Sequence, residues 1–270
     1  MTAEEKTTIY TLLKTAATNA YGYVPPAFSG GMPPFADDEA SAQTADETQN
    51  PTARATAPAQ EATALPQAAE QQAENAPPST SSQIAAIAQK IAACDRCVLA
   101  RTRTNVVPGT GVTNPLVAVI GEGPGYEEDK RGEPFVGPAG QLLDKMLASI
   151  GLSRTENCFI ANIVKCRPPN NRVPLPEEAA ACESFLHAQL FALRPKMILC
   201  AGSTAAKNLL KTKNGVTRLR GQFYDWNGIP VAVTFHPSAL LRDASQKRFA
   251  WEDLKMMRAR LQEIAPEYRP

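Results

Sequence analysis

The chain has 270 residues, of which 43% are hydrophobic and 23 are proline, and its formal net charge is +1. That length holds one large domain or two small ones, and no stretch approaches the roughly 20 consecutive apolar residues of a membrane span. The start, MTAEEKTTIY, lacks the basic residues and apolar core of a secretory signal, so the expected compartment is the cytoplasm.

Ile9, Leu12, Leu13 and Ala16 recur at helical spacing, which predicts a short amphipathic helix over residues 3–19 within an N-terminal segment 1–24. It reads either as a docking peptide for a protein partner or as a weakly packed terminus. Residues 25–82 are mostly Ala, Pro, Gln, Glu, Thr and Ser, with almost no large apolar residue after Phe35. Such a segment buries too little apolar area to offset its ordering entropy and is expected to be a disordered acidic linker. Residues 25–85 hold eight acids against Arg54 alone, which leaves 25 basic against 17 acidic residues over 86–270. That surplus suits a polyanion, nucleic acid first, or else it is a solvated basic surface.

The folded unit is expected over residues 83–270. Four apolar runs read as strands: LVAVIG (116–121), CFIANIV (158–164), MILCAG (197–202) and IPVAVTF (229–235). Helical patterns lie between them in AGQLLDKMLASIG, PEEAAACESFLHAQLFAL and STAAKNLLK, and a closing helix covers about residues 246–263. Fully apolar strands alternating with helices belong to a parallel sheet covered on both faces. The expected class is α/β: a three-layer α/β/α sandwich around a central, mainly parallel four-stranded sheet. Functional loops in such a sheet lie beyond the carboxyl ends of the strands.

One such loop reads GEGPGYEEDKRGEPFVG, residues 121–137. It lacks the Gly-Lys-Ser/Thr of a phosphate loop, and Tyr126 stands where a dinucleotide fingerprint needs its third glycine. Three consecutive acids, Glu127, Glu128 and Asp129, would repel a phosphate. A tight glycine turn followed by the aromatic Phe135 suits a flat, neutral, hydrogen-bonding ligand better than an anion.

Six cysteines occur. Cys158 and Cys200 fall inside strand runs and read as core residues. Cys94 and Cys97 form C-x2-C, while Cys166 and Cys182 flank a proline-rich loop running into a helix. Four thiolates so arranged fit a four-cysteine zinc site or an iron–sulfur cluster, and the unpaired second half leans toward [4Fe–4S].

Taken together, GEGPGYEEDKRGEPFVGPAGQLLDKML, IANIVKCRPPNNRVPLP and FHPSALLR resemble the family 4 uracil-DNA glycosylases, the iron–sulfur branch of that superfamily, over about residues 86–264. The resemblance implies excision of uracil from single- or double-stranded DNA, releasing free uracil and leaving an abasic site that initiates base excision repair. It implies a [4Fe–4S] cluster on Cys94, Cys97, Cys166 and Cys182, and a monomeric enzyme. In that family's terms Glu122, Gly123 and Pro124 line the base pocket, Phe135 stacks on the base, and Asn162 reads its edge. His236 supports charge on the leaving uracil, and Glu122, Asn162 and His236 form the expected catalytic set. Leu240 and Leu241 are candidates to wedge into the vacated stack, or else inward-packing leucines. Arg167, Arg172 and Arg242 are expected to face DNA.

Another branch of the superfamily carries a water-activating Asp where this chain has Gly123, so no general base transfers by position. Glu122, Glu128 and Asp129 are the nearby carboxylates. Two other readings compete: a uracil-binding module without turnover, and a structural cluster domain within a repair assembly. A related branch traps uracil through a basic inserted loop, and NIVKCRPPNNR carries no such insertion.

Overall fold

The computed structural model describes residues 78–270. The helix expected over residues 3–19 and the linker up to residue 77 lie outside the described residues. Helix α1 spans Thr80–Ala92, capped by the Ser79 hydroxyl, which accepts from the Ser82 backbone N–H at 3.2 Å. Residues 80–82, assigned from sequence to the linker, are therefore helical.

A 3-10 turn over Val98–Arg101 leads to strand β1 (Thr110–Gly111) and then β2 (Val117–Gly121). Helices α2 (Tyr126–Arg131) and α3 (Pro138–Ala148) precede β3 (Cys158–Asn162). Helix α4 (Pro176–Leu193) leads into β4 (Met197–Ala201), and α5 (Ser203–Leu209) and α6 (Val216–Leu219) follow. The chain closes with β5 (Phe223–Trp226), β6 (Ile229–Thr234), α7 (Pro237–Arg242) and α8 (Lys247–Ile264). Each element follows local chemistry. Pro176 opens α4 where its missing N–H costs nothing, Glu178 reaches back to the Leu175 N–H at 2.8 Å, and Arg194 ends the helix in the left-handed region at φ 46°.

The sheet has six strands in the order β1-β3-β2-β4-β6-β5. The inner pairs β3–β2, β2–β4 and β4–β6 are parallel, while β1 and β5 are antiparallel edges. The expectation of four strands thus missed both edges. β1 is only two residues long, and β5 returns into β6 through Asn227 and Gly228, whose φ values of 50° and 81° make a tight hairpin turn.

Every residue of β2, β3 and β4 is buried. Ala118 and Ile120 join a core with Leu186 and Leu190 of α4 and Ala205 and Ala206 of α5. Val117 and Val119 join the opposite core with Leu143 and Leu147 of α3 and Leu254, Met257 and Leu261 of α8. The sheet is covered on both faces, which is why its central strands are apolar throughout. Cys158 and Cys200 are fully buried, one in each core. Burial pushes the Cys158 thiol up to about 12 and raises Cys200 as well, so both behave as small apolar residues. Because the inner strands run parallel, Gly121, Asn162, Ala201 and Thr234 end at one edge of the sheet.

Candidate active site

At that edge Gly121 is the register partner of Asn162. A Cβ at Gly121 would stand 2.4 Å from Asn162 Oδ1 and 2.5 Å from Phe135 Cζ, so only glycine leaves room for both side chains. Asn162 is 2% exposed, and its Oδ1 has no hydrogen-bond partner. A buried, unpaired amide oxygen costs about 1–3 kcal/mol and calls for a missing donor.

Phe135 is buried in the left-handed region at φ 54°, a strained setting for a bulky residue. Several groups hold it there. Arg154 Nη2 donates to the Phe135 carbonyl at 2.8 Å and Nη1 to the Pro134 carbonyl at 3.1 Å. Asp144 braces the same guanidinium at 2.8 Å. Gly140 passes so close that a Cβ there would stand 1.8 Å from the Phe135 oxygen.

The His236 ring stands 5.5 Å from the Phe135 ring, centroid to centroid, tilted by 31°. It follows β6 and caps α7: the Ser238 backbone N–H donates to His236 Nδ1 at 3.2 Å, with the Ser238 hydroxyl 2.8 Å from the same nitrogen. Nδ1 is therefore the acceptor of the neutral ring, and Nε2 carries the proton. Burial, helped by nearby Arg242, lowers His236 to about 4, so the ring is neutral near pH 7. Gly202, at φ 97° after β4, lets the chain pass the His236 side chain closely, since a Cβ there would meet His236 Cβ at 2.9 Å.

Glu122 is half-buried, and its Oε2 accepts from Thr204 Oγ1 at 2.5 Å. The other two carboxylates weighed as water-positioning groups are engaged elsewhere. Glu128 accepts from the N–H groups of Gly125, Val136 and Gly137 at 3.0–3.1 Å and so shapes the glycine loop. Asp129, 3% exposed, accepts from Thr104 and Asn105. Gly123 and Pro124 continue the loop, and a Cβ at Gly123 would stand 2.8 Å from Val164 Cγ2.

The residues expected to face DNA divide. Leu240 is 1% exposed within the core shared with α3 and α8, so it is corrected from wedge to core residue. Leu241, its neighbour, is 49% exposed. Arg172 forms a two-pronged ion pair with Glu178, at 2.8 and 2.6 Å, which ties the loop to the start of α4 rather than leaving a cation free. Arg167 bonds Asn171 and lies over the exposed Tyr126 ring at 5.1 Å. Arg242 is exposed.

Cys94, Cys97, Cys166 and Cys182 line one small pocket, with Arg103 and Lys165 in its walls. All four are free thiols. Arg103 Nη1 donates to Cys166 Sγ at 3.2 Å and to the Cys94 carbonyl at 2.8 Å. Among the described residues no group of three or more His, Cys, Asp or Glu is placed to hold a metal ion.

Sequence reasoning overlooked Gly121, Thr204, Arg154, Ser238, Arg103 and Lys165. Thr204 had a signal, since it follows the carboxyl end of a strand run, where ligand-binding loops of such sheets lie. Ser238 acts within its own helix cap, and the others act through contacts with distant segments.

Residues 108–255 match the model of the uracil DNA glycosylase superfamily. That span includes Asn162, His236, Cys166 and Cys182 but stops short of Cys94 and Cys97. The chain is 46% identical to the type-4 uracil-DNA glycosylase of Thermotoga maritima over 173 residues, 63% of this chain and 90% of that protein. It is 45% identical to the type-4 enzyme of Archaeoglobus fulgidus, over 57% of this chain and 81% of that one. With the type-4 enzyme of Saccharolobus solfataricus the identity is 40%, over 65% and 85%. With its glycine loop, strand-end Asn and capped His in the arrangement described, the chain belongs to the uracil-DNA glycosylase superfamily, among its type-4 members.

Proposed function

We propose that the protein excises uracil from DNA, hydrolysing the N-glycosidic bond and leaving an abasic site for base excision repair. The observation that carries this reading is the orphaned Asn162 Oδ1, buried at the strand end beside Phe135, whose ring in turn stands 5.5 Å from that of His236. An enzyme acting on a base must swing it out of the helix into a close-fitting pocket. Asn162 Oδ1 there accepts from uracil N3–H while its amide N–H donates to O4; cytosine presents the reverse pattern. Phe135 offers its ring to the base plane, and the backbone of Glu122, Gly123 and Pro124 forms the wall.

As the C1′–N1 bond breaks, its electron pair passes to uracil and gathers on O2. The His236 Nε2–H donates to that oxygen; being neutral, the ring keeps its proton and acts as a fixed dipole. A water oxygen bonds to C1′, and its proton leaves toward Glu122, whose carboxylate Thr204 holds in place. Leu241, exposed on α7 beyond His236, is an apolar group that could fill the gap in the stack. Arg167 and Arg242 remain the cations available to phosphate.

The pocket shared by four free thiols, met by N–H donors from Arg103 and Lys165, fits an iron–sulfur cluster better than a core of unused cysteines. Cys94, Cys97, Cys166 and Cys182 would hold a [4Fe–4S] group, which when bound cross-links the α1 exit, the loop after β3 and α4. The free cysteines support a reducing, cytoplasmic setting. No described helix is long and apolar enough to cross a membrane.

The test is excision from an oligonucleotide carrying one uracil, with abasic sites cleaved by alkali and a thymine strand as control. Cleavage of the uracil strand alone, lost in Asn162→Ala, is the expected result. Equal cleavage by Asn162→Ala would remove the residue from the site, and none by wild type would favour a binding module.

A further inference from the structure

Lys165 is among the most deeply buried side chains of the protein, at 1% exposure. Its Nζ donates to the Asn162 backbone carbonyl at 3.0 Å and to Gln189 Oε1 at 2.8 Å, both neutral acceptors. Among the described residues no carboxylate pairs with it. Gln189, also 1% exposed, is fixed in turn by donating to the Pro108 carbonyl at 2.7 Å. The backbone N–H of Lys165 is directed at the Cys182 sulfur, its carbonyl accepts from Val107 at 2.8 Å, and the side chain walls the four-cysteine pocket.

Burying an ammonium without an anion costs several kcal/mol. Among the described residues the groups beside it that could supply an anion are the four thiols of the adjoining pocket, whose thiolates on a bound cluster would exceed the positive charge of the iron–sulfide core. The same ammonium folds back three residues along its own chain to hold the carbonyl of Asn162, the residue whose amide faces the base site.

We propose that Lys165 is a positioning residue that joins the two sites, supplying the buried counter-charge of the cluster and holding the strand end that presents Asn162. The proposal rests on the cluster reading given above. The lysine sets the electrostatics of the cluster and the position of the reader, and nothing moves between them.

The test uses the full-length, iron-loaded protein, with Lys165→Met and Arg103→Gln beside wild type. Two quantities are read: the reduction potential of the cluster by protein-film voltammetry, and kcat and KM on the single-uracil strand. Both variants remove a cation beside the thiolates, so both should lower the potential, because the more negative reduced state loses support. Only Lys165→Met should also raise KM, by about tenfold, the smaller effect typical of an outer-shell partner. A merely structural lysine would lower the melting temperature and leave the potential where it was.

An unshifted potential in iron-replete Lys165→Met, or an unchanged KM, overturns the inference alone. Wild-type protein lacking iron and labile sulfide overturns the cluster reading with it. Should Lys165→Met not fold, Gln189→Leu removes the other acceptor from Nζ and reads the positioning half: a raised KM supports it and an unchanged KM overturns it.

Discussion

The Ser238 backbone N–H donates to His236 Nδ1 at 3.2 Å, and this bond decides which nitrogen of the imidazole carries the proton. That donor is part of the backbone and survives any substitution of Ser238 except proline, so the tautomer is set by the helix cap itself. Helix α7 thus leaves a neutral N–H donor at Nε2 for the proposed base site.

This arrangement has a pH signature. His236 sits at about 4 in the folded protein, against about 6.5 when unfolded. Between those values the unfolded chain binds a proton that the native ring refuses, so stability rises with pH. The contribution is complete above pH 6.5 and is lost as pH falls through 4. Melting temperatures of wild type and His236→Gln from pH 7.5 to 4 should show the steeper acid loss in wild type. In the excision profile this group should leave kcat flat down to about pH 5. A step near 6.5 that disappears in His236→Gln would mean the ring works as a cation instead.

Gly121 should tolerate no side chain. Gly121→Ala places a Cβ 2.4 Å from Asn162 Oδ1 and 2.5 Å from Phe135 Cζ. Overpacking of this kind costs about 1–3 kcal/mol, which the fold can absorb, but both displaced groups belong to the proposed base site. Excision should fall about 100-fold or more in protein that still melts cooperatively. Wild-type turnover in this variant would show that neither group contacts the base.

Thr204→Val keeps the size of the side chain and removes the hydroxyl that holds Glu122. If Glu122 positions the attacking water, single-turnover rates should drop about tenfold, part of the 10²–10⁴ that a placed base supplies. KM should stay near wild type, since Thr204 has no role at the base edge. A change in KM alone would move Glu122 from water activation to substrate binding.

Two adjacent leucines should separate cleanly. Leu240→Ala opens a cavity in the core and should cost about 2–5 kcal/mol in urea unfolding. Leu241→Ala, at 49% exposure, should change stability by less than about 0.5 kcal/mol. Its effect should appear on duplex substrates, where a wedge must replace the flipped base, and far less on single strands. Equal loss on both substrates would argue against a wedge.

The parallel centre of the fold was legible because buried strands are continuous apolar runs, and each of the four expected runs is a strand. The edges were not read. β1 is too short to carry a pattern, and β5 announces itself only through the Asn227–Gly228 hairpin signal that follows it. Asn162 and His236 were legible as polar groups interrupting or ending apolar runs, and the glycine loop by its composition.

What the sequence determined by itself was local: period, turn chemistry, the family motifs and the pairing of two cysteines. What the tertiary structure alone decided was which side chains remain free to act. Glu122, Glu128 and Asp129 are all carboxylates close together in the sequence, yet Glu128 and Asp129 accept from backbone N–H groups while Glu122 accepts from Thr204, 82 residues away. Leu240 and Leu241 differ only by the 100° that one residue turns a helix, which buries one and exposes the other. Burial and hydrogen-bond saturation depend on contacts between distant segments, and those contacts exist only once the chain has folded.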